Sequence, residues 1–295
     1  MSVGFARLQV FAAALLFSTG GAGIKAAAFT GLQVSALRSG IAAVVLILLL
    51  RGRLVLSPAM LGTGVVYAAT LTLFVLSTKL TTAANAIFLQ ATAPLYLLLL
   101  GPLILSERIR ARDVVFLVAV AAGLALCVIG RPVPTTTAPD PTTGNLLAVV
   151  CSVTWALTLL GLRYLQRGTT QEGVGMSAVA IGNLFASVAA APFALPLPAA
   201  SISEWATIAY LGVFQIGVAY VFLTAAMRVL PAFEVSLLLL IEPVLNPTWT
   251  WLIRGEDPGL YTVVGGAIII AATAIKSVYD ARVPLAANTR STMTG

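Results

Sequence analysis

The sequence has no histidine, only two cysteines, and no aspartate within a long apolar run. Without histidine, the chain cannot form a Ser–His hydrolase site, a His-ligated zinc site or a histidine proton relay. Cys127 and Cys151 are too few for a disulfide framework, so we interpret them as small packing residues. Glycine-rich nucleotide-binding motifs are also absent. These absences predict that the protein is not an enzyme and holds neither a cofactor nor a metal ion.

Charged residues are scarce as well. They form 9% of the chain, whereas an ordinary soluble domain has about 25%. Hydrophobic residues form 59%, and the mean hydropathy is +1.02, so the lipid bilayer is the predicted surrounding. The net charge of +7 does not indicate nucleic-acid binding, because the basic residues stand singly or in small groups at the ends of apolar runs.

Apolar runs of about 20 residues, the length of a membrane-crossing helix, recur along the whole chain. Helices satisfy all their backbone hydrogen bonds within one segment. The sequence therefore predicts an all-α integral membrane protein with ten transmembrane helices. The predicted spans are Leu8–Ala28, Leu32–Leu50, Met60–Thr78, Ala84–Leu105, Val114–Gly130, Asn145–Arg163, Val174–Leu195, Trp205–Met227, Ala232–Ile253 and Tyr261–Val278.

The distribution of basic residues predicts the orientation. With the N-terminus inside, 12 of the 17 lysines and arginines lie on the cytoplasmic side and 5 on the other. Cytoplasmic loops of membrane proteins are enriched in these residues. Both termini are therefore predicted to be cytoplasmic in a multi-pass protein.

The chain also repeats itself. A shift of 149 positions places Pro94 on Pro243 and Glu107 on Glu256. Five predicted spans separate each residue from its partner, and an odd number of crossings turns the second copy upside down. Inverted repeats of this kind build carriers that expose a central site to alternate sides of the membrane. The predicted ligand is a small molecule bound where the two copies meet.

We divide the chain into four parts. Residues 7–130 form the first five-helix repeat, and residues 131–143 form a Pro/Thr-rich linker predicted to be extended and solvated. Residues 144–280 form the second, inverted repeat, and residues 281–295 form a disordered tail. Both repeats lie in one chain, so a monomer can form the complete site.

Glu242 is the only acid near the centre of a predicted span. One interpretation is a site for a substrate amine or a proton. The other is a protonated or hydrogen-bonded carboxyl that satisfies carbonyls left unpaired by Pro243 and Pro247. Pro94 and Pro243 break the fourth and ninth spans at matching places, which indicates that these two helices line the cavity.

Aromatic and amide side chains on the first, third, fourth, sixth, eighth and ninth spans predict a pocket with aromatic walls and a few polar groups. Such a pocket suits a small solute with an apolar side chain. The candidate binding residues are Phe17, Tyr67, Phe74, Gln90, Pro94, Trp155, Tyr210, Phe214, Glu242, Pro243 and Asn246. For Lys25, Arg38 and Lys79, snorkelling to the membrane interface is the simplest explanation. Alternatively, Arg38 meets a substrate carboxylate at the outer mouth.

The segments Ala-Asn-Ala-Ile-Phe-Leu-Gln-Ala-Thr-Ala-Pro (84–94) and Glu-Val-Ser-Leu-Leu-Leu-Leu-Ile-Glu-Pro-Val-Leu-Asn-Pro (234–247) resemble the repeat signatures of EamA-type carriers in the drug/metabolite transporter superfamily. The resemblance covers residues 7–280 and departs from the family pattern at Phe17 and Ser106. It implies two inverted five-helix repeats and export of metabolites across the cytoplasmic (inner) membrane of bacteria. Within the superfamily, the chain looks most like bacterial exporters of aromatic amino acids.

These observations favour a secondary transporter that exports neutral amino acids, including aromatic ones. One alternative keeps the carrier but changes the cargo to hydrophobic cations or drugs, with Glu242 as the counter-charge. An alternative of another class is a channel, which would conduct current without saturating, or a membrane enzyme that does not transport. The missing catalytic groups argue against the enzyme.

Overall fold

The computed structural model describes residues 2–51, 53–93, 95–96, 99–100, 111–129, 134–166, 173–226, 230, 238–239 and 241–282. Their regular structure is helical, and no β-strand occurs within these ranges. The helices of the first half are α1 (Val3–Ser18 and Gly20–Ala26), α2 (Gly31–Leu49), α3 (Pro58–Leu80), α4 (Ala83–Gln90) and α5 (Ala111–Ile129). Those of the second half are α6 (Pro141–Gln166), α7 (Val174–Ala190), α8 (Ile202–Ala226), α9 (Ile241–Arg254) and α10 (Leu260–Arg282).

Short polar side chains begin several of these helices. The hydroxyl of Thr30 accepts a hydrogen bond from the backbone of Gln33, and the Gln33 side chain accepts one from the backbone of Thr30. Ser201 and Glu204 form the same reciprocal capping box at α8. Such caps satisfy the free amides of a first turn, so the chain can start a new helix immediately after a short turn.

Six helical stretches within the described residues are long and apolar enough to cross a bilayer, and α5 and α10 contain shorter apolar helices. The chain is therefore a multi-pass membrane protein. The described residues leave gaps in the fourth and ninth predicted spans, so the total of ten helices and the cytoplasmic placement of the termini stay predictions. The predicted disordered tail lies outside the described residues from position 283 onward.

Helix packing relates the two halves by an approximate two-fold exchange. When α1–α5 are exchanged with α6–α10, the packing of α3 on α6 becomes the packing of α8 on α1, and α4 on α6 becomes α9 on α1. The pairs α2–α7 and α5–α10 are their own counterparts. This arrangement agrees with a two-repeat architecture. The remaining helices, α1, α3, α4, α6, α8 and α9, lie around a shared centre.

The described part of the linker is folded rather than extended. Thr135 and Ala138 exchange backbone hydrogen bonds in a turn, and the Asp140 amide donates to the carbonyl of Leu80 at the end of α3. Asp140 then caps α6, and hydrogen bonds from the side chain and backbone of Thr143 lower the pKa of this exposed carboxyl. The prediction of an extended linker is wrong for residues 134–140, because their backbone groups pair locally and with α3.

Candidate functional site

Both halves of the chain contribute to a central cavity of about 90 Å³. This volume is several times the space that one water molecule requires. Tyr67 and Trp155 line it from near the middle of α3 and α6, which is the depth at which inverted-repeat carriers bind their substrates. The lining residues are Phe17, Arg38, Tyr67, Thr70, Leu71, Phe74, Gln90, Trp155, Gln215, Ile216, Tyr220, Leu223, Leu239 and Glu242.

Aromatic rings form much of the cavity wall. Tyr220 of α8 makes edge-to-face contacts with Phe17 of α1, at a centroid distance of 5.1 Å, and with Tyr67 of α3, at 5.6 Å. Edge-to-face packing is the preferred arrangement of such rings and restrains their orientation. The wall is therefore apolar and held in place by contacts between the two halves.

Arg38 of α2 is the cation of the cavity. Its side chain is 1% exposed, and Nη1 and Nη2 donate to the side-chain oxygen of Gln215 and the carbonyl of Leu71, both at 3.4 Å. Protein hydrogen bonds from nitrogen are usually 2.7–3.2 Å long. The Nε donor has no partner among the described residues. A buried guanidinium with long and incomplete hydrogen bonds can accept an anion.

Gln215 lies in a π-helical stretch of α8, Leu211–Val218. Two glycines allow the close packing around it. A Cβ on Gly20 would be 2.8 Å from the Gln215 amide nitrogen, and a Cβ on Gly212 would be 2.9 Å from the Arg38 carbonyl oxygen. Stretches of π-helix occur often at functional sites, and this one holds the only side chain that hydrogen-bonds Arg38 within the described residues.

Glu242 of α9 is the acidic residue of the cavity. Its side chain is half-buried, and no ion pair joins it to any other residue in the described ranges. Gln90 of α4 adds an amide group and donates to the Cys151 sulfur at 3.5 Å. The cavity therefore combines aromatic walls, one cation, one carboxyl group and amide groups.

Six of the predicted binding residues line this cavity together, namely Phe17, Tyr67, Phe74, Gln90, Trp155 and Glu242. Four others lie elsewhere, namely Tyr210, Phe214, Pro243 and Asn246, and Pro94 lies outside the described residues.

The four that lie elsewhere have identifiable surroundings. Tyr210 and Phe214 share a face of α8, with rings stacked at 5.8 Å, but Phe214 is 48% exposed and neither residue lines the cavity. The Tyr210 hydroxyl pairs with that of Thr19 at 3.0 Å. Pro243 and Asn246 are buried, and the Asn246 amide packs so closely on α1 that a Cβ on Gly21 would overlap its oxygen.

Two prominent lining residues, Gln215 and Tyr220, and the inner placement of Arg38 were not predicted from the sequence. A glutamine within the apolar run 211–223 was the available signal for Gln215, since a polar group in a membrane span usually faces protein. Snorkelling is wrong for Arg38, because its side chain is enclosed by α3 and α8 rather than extended toward the interface.

Snorkelling is also wrong for Lys25, which is buried at one end of the molecule. Its Nζ lies 3.1 Å from Oε2 of Glu256 and donates to the carbonyls of Thr81 and Thr137. The other oxygen of Glu256 accepts the Ala83 amide at the start of α4, at 2.6 Å. This group, the Lys25–Glu256 cluster, joins α1, α3, α4, the linker and the loop after α9.

Lys79 does not extend freely to the interface either. Its Nζ donates to the Ala27 carbonyl at 2.6 Å. Near it, the Asn145 side-chain oxygen accepts from Thr81 at 2.6 Å and from Asn85 at 3.1 Å. Polar groups at this end of the molecule are thus satisfied by contacts between the first half, the linker and the second half.

Among curated proteins, none matches the chain. A solved structure titled "Crystal structure of protein" is similar, with 22% identity, a TM-score of 0.63, and coverage of 95% of this chain and 99% of that one. At this identity the likeness shows a shared fold. The sequence model of the EamA-like transporter family matches residues 4–129 and 142–278, one match in each repeat, and the chain therefore belongs to the EamA-like transporter family.

Proposed function

We propose that the protein is an alternating-access secondary carrier that exports neutral amino acids, including aromatic ones, across the bacterial cytoplasmic membrane. The observation that carries this proposal is the aromatic-walled cavity between the two halves, with polar groups at its edge. Membership of a transporter family supports the transport activity. The amino-acid cargo follows from the match between the cavity lining and a solute that has one apolar and one polar end.

In this proposal the apolar part of the substrate contacts the rings of Phe17, Tyr67, Phe74 and Trp155. The polar end contacts Gln90 and Glu242. Asn246 acts indirectly, because it packs α9, the helix that carries Glu242, against α1. Pro243 follows Glu242 in the chain and is buried. Rocking of one repeat against the other would expose the cavity to alternate sides of the membrane.

A second candidate is export of hydrophobic cations. The carboxyl of Glu242, which forms no ion pair with any described residue and shares the cavity with aromatic rings, favours it, since cations bind to such rings and carboxylates. Arg38 argues against it, because a fixed cation in the same cavity repels a cationic substrate that has no carboxylate of its own.

The test is uptake of labelled phenylalanine into liposomes that contain the purified protein and a high internal concentration of unlabelled phenylalanine. Saturable uptake that unlabelled threonine reduces and tetraphenylphosphonium does not is the expected result. Uptake of tetraphenylphosphonium in place of phenylalanine would favour the cation exporter. Flux that rises linearly with phenylalanine concentration and carries current would contradict a carrier.

A further inference from the structure

Arg38 has no anionic partner among the residues that the structure describes. Its guanidinium has five N–H donors, yet the described residues offer only two acceptors at 3.4 Å and leave Nε unpaired. A buried charge without good hydrogen bonds is costly, particularly in a membrane. Guanidinium groups bind carboxylates through two parallel hydrogen bonds. A carboxylate that enters the cavity would therefore supply the missing contacts.

Glu242 supplies an acidic group from the other half of the molecule. Both residues line the same cavity, and no ion pair joins them. A basic and an acidic side chain that line one cavity without pairing with each other are both available to a ligand. Such a ligand would carry both an anion and a cation.

The cavity that Arg38 and Glu242 line also has aromatic walls, which include the rings of Tyr67, Trp155 and Tyr220. Resting on the proposed function, we propose that Arg38 binds the substrate carboxylate and Glu242 its ammonium group, so that the cavity selects zwitterionic α-amino acids over plain amines and plain carboxylic acids. The aromatic walls then contact the substrate side chain. Arg38 and Gln215 become residues that determine specificity.

Selectivity for α-amino acids follows because each analogue leaves one of the two protein groups, Arg38 or Glu242, without a partner. Phenethylamine lacks the carboxylate and leaves Arg38 without a partner, whereas 3-phenylpropionate lacks the ammonium group and leaves Glu242 without one. Removing one member of a buried hydrogen-bonded charge pair typically weakens binding by about 30-fold or more. Both analogues keep the phenyl ring, so any loss relative to phenylalanine reports on the charges alone.

The experiment measures equilibrium binding of labelled phenylalanine, phenethylamine and 3-phenylpropionate to the purified full chain. In the wild type, phenylalanine should bind at least about 30-fold more tightly than either analogue. Arg38→Gln should weaken binding of phenylalanine and 3-phenylpropionate by a similar factor and should not weaken binding of phenethylamine, because it removes a repelling cation. Glu242→Gln should weaken binding of phenylalanine and phenethylamine and should not weaken binding of 3-phenylpropionate.

Arg53→Gln is the matched control, because Arg53 is exposed and lies outside the cavity lining; this variant should bind all three ligands as the wild type does. Arg38→Lys keeps the charge but loses the paired hydrogen bonds, and should bind phenylalanine with intermediate affinity. If Arg38→Gln does not fold, the wild-type ligand series and Arg38→Lys still decide the question.

Two failures are distinguishable. If the wild type binds phenylalanine but does not discriminate against the two analogues, or if Arg38→Gln weakens all three ligands equally, the charge assignment is wrong and the proposed function stands. If the wild type binds neither phenylalanine nor 3-phenylpropionate but does bind phenethylamine, the amino-acid cargo and the role of Arg38 are both wrong.

Discussion

Gly123 of α5 and Gly265 of α10 each lie where a side chain would meet the backbone of the other. A Cβ on Gly123 would be 2.7 Å from the Gly265 carbonyl oxygen, and a Cβ on Gly265 would be 2.6 Å from the Gly123 carbonyl oxygen. The contact is reciprocal, so the two helix backbones approach each other closely at this point. Small residues permit such close approach of helices in lipid.

Gly123→Ala should therefore destabilise the protein, because the added methyl group meets a backbone atom that cannot rotate away. We expect a loss of about 1–3 kcal/mol in the free energy of unfolding. Thermal unfolding in detergent measures it. Gly62→Ala is the control, since a Cβ there meets no atom within 4 Å and alanine favours helix. Equal stability of the two variants would contradict the packing argument.

Gln215→Glu should separate stability from binding. The new carboxylate lies beside the Arg38 guanidinium, which at present donates a long hydrogen bond to the Gln215 amide oxygen, and the two form an ion pair. The unfolding temperature should rise, and phenylalanine affinity should fall by about 10-fold or more because Arg38 is already occupied. A ligand-binding titration and an unfolding scan on the same sample test both effects. Unchanged phenylalanine affinity would show that Arg38 does not bind the substrate.

Gly20→Ala should weaken ligand binding, whereas Gly212→Ala should lower stability. A Cβ on Gly20 meets the end of the Gln215 side chain, which can move, so the variant should fold normally and bind phenylalanine more weakly. A Cβ on Gly212 meets the Arg38 carbonyl and lies 2.6 Å from Ile41 Cβ. This variant should lose about 1–3 kcal/mol of stability. Unfolding scans together with phenylalanine titrations distinguish the two outcomes, and matching losses of stability would contradict the prediction.

The ion pair between Lys25 and Glu256 should behave as a coupled unit. Lys25→Met or Glu256→Gln alone leaves one buried charge unpaired and should cost about 3–5 kcal/mol of stability. The double variant should cost less than the sum of the single changes, because neither charge remains. A double-mutant cycle from thermal or denaturant unfolding measures the coupling. Strict additivity would mean that the two side chains do not stabilise each other.

Much of the site could be predicted because periodicity and repetition are visible in the sequence. Phe17 and Trp155 occupy matching places in the two halves, and both line the cavity. Tyr67 and Phe74 are spaced to share one helix face, and that face is the inner one. For Tyr67 and Phe74 a local pattern was enough, since a regular helix keeps its phase over two turns. For Phe17 and Trp155 the repetition between the two halves was enough.

The remainder depended on contacts between distant segments. On α8, periodicity correctly grouped Tyr210 with Phe214, but a span with aromatic residues on two faces does not reveal which one points inward. The π-helical stretch also changes the phase of the helix, so Tyr220 could not be placed from Tyr210. The position of Arg38 within the second predicted span could not show that α3 and α8 enclose its side chain.

Cys127 and Cys151 have no exposed surface. Membrane-impermeant maleimides therefore have no native target among the described residues, and the wild-type chain can serve as its own unlabelled background. A single cysteine introduced at Thr137, whose carbonyl accepts from Lys25, would react faster whenever the Lys25–Glu256 cluster opens. The rate of that reaction, with and without phenylalanine, would report how often this end of the carrier faces water.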